Sequence, residues 1–273
     1  MSMIFNDEYG IQNKSAFNAI KAILHPGLIG KLKKGISEKA AQRANILSLR
    51  DVGNNIEDLD FLEFFPELST FFISSQKLSN VNGLRYLTKA TCIELSSDWS
   101  GVVDISALSN CKELTELSID RNLFGAGEKP NMTRNTNINI GGWSVIKELS
   151  KIEFLSIHDM GLTDISFLKH MVLLEDVDLG KNPISDLAPL FGHPVLKELD
   201  LTNCGIENIS ILSSIPTLES VWLDGNRIKD FSPLKEMKNL NNVSATANGL
   251  SDREIEKWKN ELRHIEDLDF EPL

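Results

Sequence analysis

The sequence predicts an α/β solenoid, in which short strands stack into a curved parallel sheet and a return segment follows each strand. The first observation is a repeat, because five apolar residues lie 22 positions apart: Ile152, Leu174, Leu196, Leu218 and Leu240. The second is that each unit has apolar residues at offsets 3 and 5, the alternation of a short strand with one buried face. The third is that one unit cannot bury its apolar face alone, so neighbouring units must stack.

One template describes the successive units, and about nine copies fit between residues 44 and 250. One copy reads Leu174, Val177, Leu179, Asn182, Ile184, Leu187 and Leu190, and the next reads Leu196, Leu199, Leu201, Cys204, Ile206, Ile209 and Leu212. The residue at offset 8 follows the strand where the chain turns inward. An asparagine amide there can bond backbone groups that strand pairing does not reach, and the small thiol of Cys204 also suits the place.

The repeated pattern LxxLxLxxNxIxDIxxL resembles the short leucine-rich repeats of bacterial internalins and of a phosphatase regulator. The resemblance covers residues 44–250, about three quarters of the chain. It implies a horseshoe with a concave parallel sheet and short, largely 3₁₀ turns on the convex side, and it leaves the ligand open. The sequence has no recognisable secretion signal, immunoglobulin-like domain or surface anchor of the internalin kind, which argues against a cell-surface adhesin.

The two ends are expected to be helical caps that cover the terminal repeats. Residues 1–43 form the N-terminal cap, with one helix from Ser15 and a second short helix after Ser37. Residues 251–273 form the C-terminal cap, whose helix starts at a capping box of Ser251 and Glu254. An insertion at 124–139 is expected to project from the edge of the sheet, and Trp99 either lines the same rim or packs back into the core.

Composition indicates a protein that stays in the cytoplasm and binds a basic partner. No signal peptide or transmembrane segment is apparent, and the three cysteines lack metal-site spacing. Residues 1–43 carry seven Lys or Arg and three Asp or Glu, a net charge of +4. The remaining 21 basic and 36 acidic residues give −15, so this part of the chain should repel nucleic acid and anionic membranes.

The predicted binding site consists of strand side chains that point away from the core, at offsets 2, 4, 6 and 7. Carboxylates on adjacent strands, about 4.8 Å apart, repel one another, so a face selected only for folding would tend to avoid them. Exposed rings beside them are typical interface anchors. Two other interpretations remain open, a solvated acidic face and rings that pack sideways on their neighbours. The predicted partner-binding residues are Phe72, Glu94, Glu116, Asp120, Phe154, His158, Asp159, Asp176, Asp178, Glu198, Asp200, Trp222 and Asp224.

The sequence offers no constellation typical of an enzyme. Residues 125–129 lack the full spacing of a phosphate loop, and the five histidines have no metal-ligand spacing. We therefore expect a monomeric, non-enzymatic protein-binding module without cofactor or metal, such as an inhibitor or immunity protein that covers a basic enzyme. The alternative is a secreted, internalin-like virulence effector or adhesin that binds a host protein.

Overall fold

The repeated segments form parallel strands joined by short helical turns. A computed structural model of the chain describes residues 2–7, 10–25, 35–50, 55–99, 102–121 and 139–271. Apart from its last residue, the predicted insertion at 124–139 lies outside these ranges. The chain forms two units, Met1–Leu149 and Ser150–Leu273, which are described in turn.

The first unit begins with an antiparallel pair of strands and two helices. The pair consists of β1 (Met3–Ile4) and β2 (Ile36–Ser37), and the helices are α1 (Lys14–Leu24) and α2 (Glu38–Ala41). The side chain of Asn13 accepts a hydrogen bond from the Ala16 backbone at 3.0 Å, so α1 begins before the predicted Ser15. Ser37 caps α2, in agreement with the predicted start. The role of these helices as caps stays a prediction.

The repeats of the first unit supply its remaining strands. In chain order these are β3 (Ile46–Leu49), β4 (Thr70–Ser74), β5 (Cys92–Ser97), β6 (Val102–Asp104), β7 (Glu116–Arg121) and β8 (Asn139–Gly141). Strands β3, β4, β5 and β7 pair side by side in parallel, and β6 pairs with β8. Short 3₁₀ turns connect them at Asp60–Phe64, Asn82–Tyr86, Ser106–Asn110 and Trp143–Glu148.

The second unit has the same construction. Its parallel strands, in chain order, are β9 (Phe154–His158), β10 (Asp176–Asp178), β11 (Glu198–Asp200), β12 (Ser220–Trp222), β13 (Asn242–Ser244) and β14 (Asp267–Asp269). The 3₁₀ turns are Ser166–His170, Ala188–Leu190, Ser210–Ser214 and Ser232–Leu234. The sequence did not predict β14, because its segment lies beyond the last repeat.

A single helix, α3 (Asp252–Glu261), separates β13 from β14. It starts at the predicted capping box, where the Glu254 carboxylate accepts a hydrogen bond from the Ser251 backbone at 2.8 Å. The ring of Trp258 on α3 packs edge to face on Phe231, with ring centres 5.8 Å apart, and Phe270 packs on Phe231 at 4.9 Å. These ring contacts attach the C-terminal segment to the last repeats.

Strand alternation places the core where the repeat predicts it. Val177, Leu199 and Val221 are paired neighbours on successive strands, and all three are fully buried. The residues on either side of them, such as Asp176 and Asp178, point to the other face and are partly exposed. The predicted α/β solenoid, with parallel strands and 3₁₀ turns, is thus confirmed in both units.

Buried asparagines satisfy the backbone at the turns after β10, β12 and β13, as predicted. The side-chain oxygen of Asn226 accepts hydrogen bonds from the backbone N–H groups of Cys204 and Ile206 at 3.1 and 3.0 Å. Its amide nitrogen donates to the carbonyls of Leu201 and Leu223, both at 2.8 Å. Each asparagine therefore connects two adjacent repeats. Two others, also buried, make similar contacts with the backbone: Asn182 and Asn248.

The aspartate of the repeated pattern has a role that the sequence did not reveal. The Asp164 carboxylate accepts a hydrogen bond from the Ser166 backbone at 2.8 Å, and Asp230 does the same for Ser232 at 2.9 Å. Each contact closes a tight turn of the backbone just before a 3₁₀ turn begins. The hydrogen bond from the backbone N–H of Ser166 lowers the pKa of Asp164.

None of the helices in the described ranges has the length and apolar character that a membrane crossing requires.

Candidate protein-binding surface

The predicted site residues divide between the two units, and in the first unit they are largely engaged by their own neighbours. Phe72, Glu94, Glu116 and Asp120 belong to this unit. The guanidinium carbon of Arg50 lies 4.0 Å from the centre of the Phe72 ring. The Nε of Arg50 donates a hydrogen bond to the Glu94 carboxylate at 2.8 Å. The interpretation of rings that pack sideways on their neighbours therefore holds for Phe72.

Asp120 and Glu116 also have partners within the first unit. The Asp120 carboxylate accepts a hydrogen bond from Ser96 Oγ at 2.5 Å. The backbone carbonyl of Asp120 accepts one from the indole N–H of Trp99 at 2.6 Å. Trp99 is 1% exposed, so it packs back into the core and does not line the rim. Burial, together with a hydrogen bond to Glu116, raises the pKa of the Cys92 thiol to about 12. The predicted site residues of the first unit are thus in contact with neighbouring side chains of the same unit.

The second unit brings four carboxylates and an aromatic ring together on one side of its sheet. Asp176 pairs with Glu198 and Asp178 pairs with Asp200, while Trp222 stands beside Asp200 on the next strand. Paired side chains on adjacent strands lie about 4.8 Å apart and on the same face. We call these five residues the acidic face. The predicted neighbours are therefore side by side, as the repeat requires.

Asp178 is the most fully bonded member of the acidic face. His158 Nδ1 lies 3.1 Å from both of its carboxylate oxygens, Ser156 Oγ donates to it at 3.2 Å, and the Gly180 backbone donates at 2.8 Å. A Cβ on Gly180 would lie 2.8 Å from the imidazole, so the position of His158 depends on this glycine. The hydrogen bond to Asp178 raises the pKa of His158. Burial opposes ionisation of Asp178, but its hydrogen bonds hold the pKa below the ordinary value.

Some carboxylates on this side of the sheet have a role in folding. The Asp200 carboxylate accepts a hydrogen bond from the Thr202 backbone at 2.7 Å, and Asp269 on β14 accepts one from Glu271 at 2.8 Å. Asp178 likewise accepts its hydrogen bond from the backbone N–H two residues further along the chain, that of Gly180. An aspartate at this strand position closes the following turn. These side chains are therefore explained in part without a partner.

Asp176 and Glu198 do not close a turn in this way. Within the described ranges, neither carboxylate receives a hydrogen bond that would offset its charge. Burial and the negative charges of Glu198, Asp178 and Asp200 raise the pKa of Asp176 to about 6. The face therefore contains charge repulsion that a neutral side chain would remove.

The Asp176→Asn variant is expected to be more stable than the natural chain at pH 8 and equally stable at pH 4. The pKa of Asp176 is about 6 in the folded chain against an ordinary value of 3.8, so ionisation destabilises the fold progressively between these values and fully above pH 6. The half-exposed position limits the gain to about 1 kcal/mol in the free energy of unfolding. Urea denaturation at both pH values measures it.

The matched control is Glu236→Gln, an exposed carboxylate just after a 3₁₀ turn of the same unit. It should leave the free energy of unfolding unchanged at both pH values. An Asp176→Asn variant that is less stable at pH 8 would show that the carboxylate makes a favourable contact, contrary to this account.

The other predicted residues of the second unit differ in their availability. Phe154 pairs with Asp176 and is partly exposed. The Asp224 carboxylate is engaged by Ser244 and by the hydroxyl and backbone N–H of Thr246, at 2.6–2.7 Å.

Asp159 is 7% exposed, and the chain there takes a left-handed conformation with φ of 56°. The structure therefore places Asp159 away from the exposed surface, unlike the prediction.

Two acidic residues of the same sheet were missed. Asp267 pairs with Asn242 and Asp269 pairs with Ser244, and both aspartates are exposed. The signal that could have revealed them is the acid–apolar–acid order of β14, which repeats the order of β10. Within the described ranges, no group of three or more His, Cys, Asp or Glu residues could hold a metal ion.

Comparisons with known proteins agree with the fold. A family model of leucine-rich repeats, two copies in length, matches residues 194–236. The structure is similar to internalin C2 of Listeria monocytogenes, with a TM-score of 0.67, 23% identity, and coverage of 86% of this chain and 93% of that chain. It is also similar to internalin F of the same species, with a TM-score of 0.66, 20% identity, and coverage of 98% and 76%.

A more distant similarity connects the chain to the complex of mouse RP105 with MD-1. The TM-score is 0.59 at 16% identity, with 85% of this chain and 39% of that chain covered. A search of curated proteins finds no match. At these identities the likeness concerns the fold, which is that of the leucine-rich-repeat proteins, internalins included.

Proposed function

We propose that the chain is a non-enzymatic protein-binding module that holds a basic protein surface on the acidic face of its second unit. The observation that carries the proposal is the pairing of Asp176 with Glu198, two carboxylates that lie side by side without a role in folding. Residues kept at a cost in stability are typical of functional sites. The similarity to RP105, which is in complex with MD-1, supports protein binding by this fold.

A basic partner fits this surface for electrostatic reasons. Lysine or arginine side chains placed between the carboxylates of Asp176 and Glu198 would replace repulsion by attraction. The partly exposed ring of Trp222, beside Asp200, supplies an apolar contact of the kind that anchors interfaces. Complementary charge of this kind gives fast association that weakens as salt is added.

The proposal includes finer points that follow from charge and composition. The net charge of −15 over residues 44–273 disfavours nucleic acid and anionic membranes as ligands. A monomeric inhibitor or immunity protein in the cytoplasm, which covers a basic enzyme and needs no cofactor, fits these features best.

The test compares the natural chain with the double variant Asp176→Asn/Glu198→Gln. Each chain is immobilised and exposed to extract of the organism that produces it, and the retained proteins are identified by mass spectrometry. The natural chain should retain a protein of basic surface, and retention by the double variant should fall at least about tenfold. Cross-linking between Lys181 or Lys197, which lie beside the face, and the retained protein locates the contact.

The control is again Glu236→Gln, which should retain the partner as the natural chain does. Because Asp176→Asn is expected to stabilise the fold, loss of binding by the double variant cannot be attributed to unfolding. Equal retention by all three chains would overturn the assignment of the site.

A second candidate function is a secreted effector or adhesin that binds a host protein. The similarity in fold to two internalins favours it. The protein should then occur in culture supernatant at a higher fraction than a cytoplasmic marker enzyme. A supernatant fraction equal to that of the marker would exclude this candidate.

A further inference from the structure

The acidic face continues beyond Trp222 to the last strand of the second unit. Asp269 lies in the same row as Asp178, Asp200 and Trp222, because β10 to β14 pair in order and in constant register. Ser244 occupies this row between Trp222 and Asp269. The row therefore reads acidic, acidic, aromatic, hydroxyl, acidic.

A second row runs parallel to the first and has the same character. It contains Asp176, Glu198, Ser220, Asn242 and Asp267. Together the two rows place four carboxylates on β10 and β11, neutral residues around Trp222 on β12 and β13, and two carboxylates on β14. The negative charge of these two rows is thus divided into two groups with a ring between them. The Asp224 carboxylate, which lies near Ser244 between the groups, is already engaged by Ser244 and Thr246.

The strand spacing sets the distances between these groups. With adjacent strands about 4.8 Å apart, the centre of the carboxylates on β10 and β11 lies about 7 Å from Trp222 and about 17 Å from β14. The two rows are separated by two residues along a strand, or about 7 Å. A strip of this width is narrower than an α-helix with its side chains, which is about 10 Å across. An extended chain suits it better.

We propose that the partner, on the function proposed above, presents an extended basic segment that crosses β10 to β14 with two cationic positions about five residues apart and an apolar residue between them. The first cationic position faces Asp176, Asp178, Glu198 and Asp200. The apolar residue, about two positions further on, packs on Trp222. The second cationic position faces Asp267 and Asp269.

This arrangement distinguishes the segment from an arbitrary basic peptide. A single cationic cluster satisfies only one group of carboxylates and leaves the other facing water. Two clusters at a shorter or longer separation cannot meet both groups while the chain stays extended. Spacing, and not only total charge, is therefore the property that the face selects.

The test uses fluorescein-labelled peptides of glycine and serine that carry two arginine pairs and one leucine. The pairs are separated by about two, five or ten residues at constant composition, and binding is followed by fluorescence anisotropy. The natural chain should bind the peptide with the separation of about five residues roughly fivefold more tightly than the other two. Replacing its leucine by glycine should weaken binding.

The variant Asp267→Asn/Asp269→Asn should lose the preference for spacing and bind all three peptides alike. Asparagine keeps the oxygen that accepts the hydrogen bond from Glu271, and an unchanged circular dichroism spectrum verifies the fold. Glu236→Gln should keep the preference. The proposal would be overturned if the natural chain bound all three peptides with equal affinity, or if the β14 variant kept the preference for one spacing.

The outcome is separable from that of the proposed function. If partner retention depends on Asp176 and Glu198 but peptide spacing has no effect, the proposed extended segment is wrong and the acidic face stands as the binding site. If retention is also unaffected by these two residues, both proposals fail. Tighter binding of an alanine-rich helical peptide with arginine pairs about eleven residues apart, the same distance along a helix, would exclude the extended conformation.

Discussion

The Asn226→Ala variant is expected to lose about 4 kcal/mol of the free energy of unfolding. The side chain is 4% exposed, and its removal leaves the backbone N–H groups of Cys204 and Ile206 and the carbonyl of Leu201 without these hydrogen bonds. The carbonyl of Leu223 keeps the amide of Asn248 as a donor. Each buried group left unsatisfied costs about 1–3 kcal/mol, reduced where water can enter the cavity. Urea denaturation followed by far-ultraviolet circular dichroism measures the loss.

Two comparisons make this prediction specific. Asn260→Ala removes an exposed asparagine from α3 and should change the free energy of unfolding little. Cys204→Asn places an amide where a thiol now lies 3.4 Å from the carbonyl of Leu179, and it should stabilise the chain by about 1 kcal/mol. A loss below about 1 kcal/mol in Asn226→Ala would contradict the role given to the buried amide.

The Trp99→Ala variant is expected to lose about 4 kcal/mol in the first unit. Trp99 is among the largest fully buried side chains, and its indole N–H donates to the carbonyl of Asp120 at 2.6 Å. Replacement by alanine creates a cavity and leaves that carbonyl without its donor. The midpoint of urea denaturation, followed by circular dichroism, should shift accordingly.

Trp99→Phe separates the two contributions, because it keeps most of the volume and removes only the hydrogen bond. Its loss should be about 2 kcal/mol. Trp143→Ala, at a partly exposed site in a 3₁₀ turn of the same unit, should cost less than either. Equal losses at Trp143 and Trp99 would mean that the indole of Trp99 is not a specific part of the core.

The fold could be predicted because the period of the repeat determines the register in which adjacent strands pair. A period of 22 residues with apolar positions at offsets 3 and 5 determines which residues pair, so the neighbours Asp178 and Asp200 followed directly. The predicted cap of α1, Ser15, lies two residues after the observed cap, Asn13, because both side chains can cap a helix and tertiary contacts decide between them. Strand β14 was missed because it follows a helix and lies outside the repeat.

The candidate site was predictable only where side-chain direction follows from strand alternation. Asp159 lies where the strand has ended and the backbone turns left-handed, so alternation no longer applies. The contacts of Arg50 with Phe72 and Glu94 join the residue that follows β3 to residues of β4 and β5. Such contacts depend on the reach of a long side chain and leave no periodic signal.

The edge of β14 has a consequence for how copies of this chain meet. An edge strand offers unpaired backbone groups to any other strand, and end-to-end growth of repeat proteins begins at such edges. Two copies that met through β14 would bring Asp267 and Asp269 of both chains within about 5 Å of one another. The same carboxylates that extend the acidic face therefore oppose pairing of two copies through β14, and their neutralisation should make the protein more prone to self-association.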